Sequence, residues 1–131
     1  MPSIFTRIIR GEIPSHRVAE SEAFLAFLDI RPIRPGHTLV VPKMEVDQFF
    51  RLDDGILADI MRFAKPIALA IQEVTGAERV GAAVAGFDVP HAHLHLIPAD
   101  SMRDLDFSRQ AAASPEELAA MAAEIREVLG R

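Results

Sequence analysis

Apolar positions in this chain fall into two helical stripes and several short blocks. Leu57, Ile60, Met61, Ala64, Ile67, Ala68 and Ile71 recur at spacings of three and four, one face of an α-helix. Asp53 is placed to cap its first turn and Gly76 to end it. Pro66 lies inside the stripe, where it removes a backbone donor and predicts a kink. A second stripe, Leu118, Met121, Ile125 and Val128, follows Ser114-Pro115-Glu116-Glu117, a capping box with proline at the first helical position. Five short apolar blocks read as strands: His16–Glu20, Ala23–Asp29, Thr38–Val41, Arg79–Ala85 and His91–Ile97. Pro, Gly or charged turns bound each of them. The connector Arg31-Pro32-Ile33-Arg34-Pro35-Gly36 and the polar stretch Asp100–Ala113 read as loops. Most strands follow one another without a helical crossover. The pattern predicts an α+β fold: an antiparallel meander of about five strands, one long helix packed on it, and a C-terminal helix.

The length of 131 residues suits one domain over 1–131, with a core to about residue 110 and the last helix over 114–129. Half the residues are apolar and a quarter charged, which excludes a disordered chain. There is no cysteine, hence no disulfide framework, no thiolate nucleophile and no Cys-ligated zinc. Arg7 and Arg10 interrupt the first ten residues where a signal peptide needs an apolar run. Runs such as Ile67–Ile71 fall far short of the roughly 20 residues that span a bilayer. These features predict a cytoplasmic protein without a membrane partner. The net charge of −5 argues against a nucleic-acid partner. The charge is uneven, however: residues 1–43 hold six basic groups against four acidic ones, leaving room for a small anion.

The chemistry concentrates in His91-Ala92-His93-Leu94-His95. Side chains two apart in a strand share a face, about 6.5–7 Å apart along it. Three imidazoles therefore project on one side while Ala92, Leu94 and Leu96 enter the other. Crowded imidazoles disfavour each other's protonation, so at least one ring is neutral near pH 7. A neutral ring is a nucleophile, a base or a metal ligand. Two reaction classes fit. In one, an imidazole attacks phosphorus while its neighbours bind phosphate oxygens and protonate the leaving group. In the other, the imidazoles hold a metal that activates water, with Asp100 or His37 as a further ligand.

His91-Ala92-His93-Leu94-His95-Leu96-Ile97 resembles the alternating His-apolar motif of the histidine-triad superfamily. Ile4-Phe5 with Ile8-Ile9-Arg10-Gly11-Glu12-Ile13-Pro14 is similar to the N-terminal segment of its nucleotide-binding HINT branch. Ala26-Phe27-Leu28-Asp29-Ile30, Pro32 and Pro35-Gly36-His37, followed by Leu39-Val40-Val41-Pro42-Lys43, resemble its central segment. The resemblance covers Ile4 to Pro98 in the family's order. It implies a homodimer that joins two sheets into one. It also implies hydrolysis or transfer of purine nucleoside monophosphates, as from phosphoramidates, through a nucleotidyl-histidine intermediate and without a cofactor.

By that resemblance His93 is the nucleophile, His95 contacts phosphate oxygens and assists the leaving group, and His91 orients the site from behind. His37 matches a further family histidine. Asp29 would hold the ribose hydroxyls, Gly86 would approach phosphate, and Ile4, Phe5, Ile8, Phe27 and Leu39 would line the purine slot. The departures are specific. Many bacterial relatives carry zinc-binding cysteines where this chain has Ser3 and Thr6, so no metal is expected. Val80, Gly81 and Ala82 stand where relatives carry an amide side chain. Asp88 stands near the triad where a serine or threonine is usual, and an ionised carboxylate there repels phosphate. A nucleotide-binding module with little catalysis is a third reading.

Overall fold

The structure, a computed structural model, describes residues 1–131. Its elements in chain order are α1 (Ile4–Ile9), β1 (Arg17–Glu20), β2 (Phe24–Leu28), β3 (Thr38–Pro42), α2 (Asp54–Thr75), β4 (Arg79–Ala83), β5 (Leu94–Ala99) and α3 (Pro115–Leu129). Short 3-10 turns occupy Phe49–Arg51, Met102–Leu105 and Phe107–Arg109. The caps follow from single side chains. Asp53 accepts from the Ile56 N–H, Ser114 from the Glu117 N–H, and Gly76 ends α2 at φ +69°. α2 runs unbroken through Pro66, which is exposed, so the carbonyl that loses its partner there faces water.

All strand pairs are antiparallel, but the order β1-β2-β3-β5-β4 departs from the expected simple meander. β5 sits between β3 and β4 because its residues are apolar enough to be covered on both faces, with every position buried. β4, rich in small residues and half exposed, is left at the edge. Gly81 in β4 packs closely: a Cβ there would lie 2.7 Å from Leu105 Cδ2, so a larger residue makes that side chain shift.

Alternation along β2 and β3 divides the interior in two. Phe24, Ala26, Leu28 and Val40 join Leu94 and Leu96 under α2 and α3. Leu25, Phe27, Leu39 and Val41 face the other way and pack against Phe5 and Ile8 of α1. Phe27 pairs with Leu39 and Leu39 with His95, so these three share the second face. The helix-covered face is a closed core. The face beneath α1 carries the histidines.

Candidate active site

Strand β5 begins at Leu94, so His91, Ala92 and His93 precede the regular strand rather than belonging to it. The ladder stops there because the donors go elsewhere: His91 N–H bonds to Val89 O at 2.8 Å and Ala92 N–H to Val46 O at 2.7 Å. The alternation nevertheless survives. Ala92, Leu94 and Leu96 are buried, and the rings of His93 and His95 lie on one side with centroids 4.9 Å apart.

The proton on each imidazole is fixed by a main-chain group. His93 Nδ1 lies 2.7 Å from the His91 carbonyl, which can only accept, so Nδ1 carries the hydrogen and, in the neutral ring, Nε2 holds the lone pair. His91 Nε2 lies 2.7 Å from the Pro42 carbonyl and must donate. Its Nδ1 therefore accepts from the Ser3 hydroxyl at 2.7 Å. The Ile33 N–H donates to His37 Nδ1 at 3.0 Å, which leaves the hydrogen on Nε2. That N–H donates in turn to His95 Nδ1 at 2.9 Å, so His95 carries its hydrogen on Nε2. Ser15 Oγ is the one fully buried side-chain polar atom without a partner. Nε2 of His93 and of His95 have no partner either, so both reach solvent. A lone pair and an N–H thus open side by side.

Burial favours the neutral form of His37, His91 and His95. Desolvation pushes His37 from 6.5 down to about 4. It pushes His95 to about 3, with the neighbouring His37 and His93 adding to the fall. His91 is lowered by burial, opposed by its bond to Pro42 and by the Glu45 charge.

Asp29 follows β2 at the edge of this group. Its Oδ1 accepts from the Arg31 N–H at 2.9 Å and its Oδ2 from Gln110 Nε2 at 3.2 Å. Burial raises its pKa, against the backbone bond from Arg31 and the nearby His93. Phe5, Ile8, Phe27 and Leu39 are buried together, and the Phe5 ring stands edge-on to His93 at 5.0 Å. Ile4, on the opposite side of α1, is about half exposed. Gly86 takes φ +87° in the 84–90 loop, and Asp88 of that loop is exposed while its charge reaches Asp29. Arg34 holds both Asp100 and Asp104 at 3.0 Å, so Asp100 is not the carboxylate that joins the histidines. Asp29 takes that place: its carboxylate and ring nitrogens of His37 and His95 lie within 4.8 Å of one another.

Phe107 and Gln110 escaped the sequence reading. The Phe107 ring stands edge-on to His95 at 4.8 Å. The only signal was one aromatic residue in an otherwise polar loop.

The family model described as HIT domain matches residues 10–102. The chain belongs to the HIT family. The adenosine 5'-monophosphoramidase of Schizosaccharomyces pombe is 38% identical over 99 residues, covering 75% of this chain and 74% of that one. The enzyme of the same name from Saccharomyces cerevisiae is 38% identical over 96 residues, covering 72% of this chain and 61% of its own. Among solved structures, the HIT-like protein from Bartonella henselae superposes with a TM-score of 0.84 at 31% identity, covering 96% and 95% of the two chains.

A second HIT structure, from Mycobacterium smegmatis, is described as Zn-bound; its TM-score is 0.83 at 29% identity, with 97% and 92% coverage. Ser3 and Thr6 do not fit a structural zinc site. Such sites are closed by thiolates and imidazoles. Here the Ser3 hydroxyl is spent on His91 and the Thr6 hydroxyl on Glu45, at 2.7 and 2.5 Å. No helix of this HIT protein is long and apolar enough to cross a membrane.

Proposed function

We propose that this chain hydrolyses purine nucleoside phosphoramidates, releasing the nucleoside monophosphate through a nucleotidyl-His93 intermediate. The observation that carries this reading is the paired tautomers: a free lone pair on His93 Nε2 beside an outward N–H on His95 Nε2. The relatives named as adenosine 5'-monophosphoramidases supply the substrate class.

His93 Nε2 attacks phosphorus, and the P–N bond breaks with its electron pair going to the departing amine. The adduct is a phosphoryl-imidazolium, because Nδ1 keeps its hydrogen on the His91 carbonyl. Water then forms the new P–O bond and loses a proton to solvent, and the P–Nε2 electrons return to a neutral ring, a good leaving group. His95 Nε2–H donates to a phosphate oxygen. Its other nitrogen already accepts from His37, so His95 has no spare proton and the leaving amine takes one from solvent. On this reading solvent, not a neighbouring imidazole, supplies the leaving group's proton.

The purine lies against the apolar residues around Phe5 and Phe27, and Asp29 takes the ribose hydroxyls by displacing Gln110. Incubation with an adenosine phosphoramidate is expected to yield AMP, with no loss of rate in a chelator; loss that one divalent ion restores would favour the metal-dependent reading instead. Asp29→Asn is expected to raise KM about tenfold by weakening a charge-assisted bond, with kcat changed far less. An unchanged KM in steady-state kinetics removes Asp29 from the ribose site.

A homodimer through the β4 edge accompanies this reading. Its support is an unpaired edge strand beside a groove lined by Phe49, Phe50, Leu57, Met61, Ala82 and Val84, with Phe50 four-fifths exposed. Sedimentation equilibrium is expected to give twice the chain mass for the native protein and the chain mass for a Met61→Glu, Val84→Glu double variant. A native monomer at micromolar concentration would refute the dimer.

A further inference from the structure

His91 is held from behind by a group that the proposed reaction does not use. Glu45 Oε1 accepts from the Ser3 N–H at 2.7 Å and from the Thr6 hydroxyl at 2.5 Å. Ser3 Oγ accepts from the Thr6 N–H at 3.0 Å and donates to His91 Nδ1 at 2.7 Å. We propose that Glu45, through Ser3 and Thr6, is a positioning residue that fixes the orientation and tautomer of His91, and through it the nucleophile. The proposal rests on His93 being that nucleophile.

The shortest contact available to each proton in this network fixes its place, the alternatives between Ser3 and Thr6 and between Thr6 and His91 being longer at 3.3 and 3.4 Å. The Thr6 hydroxyl is committed to the carboxylate, leaving the Ser3 hydroxyl as the donor that reaches His91. If His91 carried its hydrogen on Nδ1 instead, its Nε2 lone pair would face the Pro42 carbonyl at 2.7 Å. The arrangement therefore admits one tautomer. The main-chain carbonyl of the same residue receives His93 Nδ1–H at 2.7 Å, so a shift of the His91 backbone that accompanies loss of its ring contacts reaches the ring beside it.

The network is tertiary rather than a local cap. Glu45 and Ser3 are 42 positions apart in sequence, and Ser3 and His91 are 88 apart. The segment carrying Glu45 also grips the triad a second time, through the Ala92 N–H on Val46 O. Glu45 is exposed, so a carboxylate costs little there. The donors from Ser3 and Thr6 hold it well below the usual range, at about 2, so it stays an acceptor throughout the working pH range. α1, pinned by the same contacts, supplies Phe5 to the face of the site.

The test compares Glu45→Ala with Glu45→Gln in the full chain, reading kcat and KM on an adenosine phosphoramidate, thermal midpoint, and the 15N shifts of His91. Glu45→Ala is expected to lower kcat by ~10–100-fold with KM within about threefold, as loss of an orienting partner does. Glu45→Gln keeps an oxygen acceptor and is expected to restore kcat to within about threefold of the native protein. His91 should show a single Nε2–H tautomer in the native and Gln chains and a mixture in the Ala chain. Native kcat and an unchanged His91 spectrum in Glu45→Ala overturn the proposal, whatever the thermal midpoint does. Equal loss of kcat in both variants overturns it too. If the native protein turns over no phosphoramidate, the functional reading fails, and the His91 spectrum alone decides the positioning role.

Discussion

His93→Ala is expected to lower kcat on an adenosine phosphoramidate by roughly 10⁴-fold or more. The size follows from the wiring. His91 Nδ1 is buried and taken by Ser3, and His95 Nδ1 is taken by His37. Within the site, the one imidazole lone pair left open to solvent is that of His93 Nε2. No neighbour can replace it without breaking a bond of its own. Calorimetry is expected to give AMP affinity within about threefold of native, because the imidazole supplies reaction more than binding. Base-quenched mass spectrometry should detect a nucleotidyl adduct on the native chain and none on the variant. Turnover above about 1% of native in His93→Ala would rule out the covalent route.

Stability is expected to begin falling as pH drops below about 6.5, above the range in which ordinary carboxylates titrate. His37 is buried and its pKa falls from 6.5 to about 4. The unfolded chain therefore binds a proton that the folded one refuses across that window, and stability rises with pH there. The contribution of His37 is complete above 6.5 and lost as pH falls toward 4, roughly 3 kcal/mol for a shift of this size. His95 acts in the same sense over a window reaching about 3. Asp29, raised by burial, acts in the opposite sense just above the ordinary carboxylate range. Urea unfolding at steps from neutral to pH 4 should show the decline, and His37→Gln should make it shallower, leaving the part that His95 contributes. An equally steep profile in that variant would show that the loss arises elsewhere.

The helices were legible in the sequence because their caps and stripes are local: Asp53, Ser114, Pro115 and Gly76 act within one turn of chain. The strand blocks were legible too, each to within a few residues. Their order was not, because insertion of β5 beside β3 depends on burial of both its faces, a tertiary matter. The shared face of His91, His93 and His95 could be read from alternation alone. The tautomers of His91 and His95 could not, since they depend on Ile33, Pro42 and Ser3, which lie 49 or more positions away from the triad. α1 went unassigned because six residues are too few for a periodic stripe. Asp29 was singled out by family likeness, and its closeness to His37 comes from the turn that brings the Asp29 N–H onto the His37 carbonyl at 3.0 Å.

The Ile33 amide gives the proposed reaction a direction. A peptide N–H in contact with His37 can donate but never accept, so the line Ile33–His37–His95 works as a rectifier for protons. It presents hydrogen toward the phosphate and has nowhere to store one coming back. His95 consequently makes a poor base for water attacking the nucleotidyl-His93 adduct. Discharge of that adduct then becomes the slow half of the cycle, and the adduct accumulates long enough for an incoming nucleophile that needs no deprotonation to compete with water for the nucleotide.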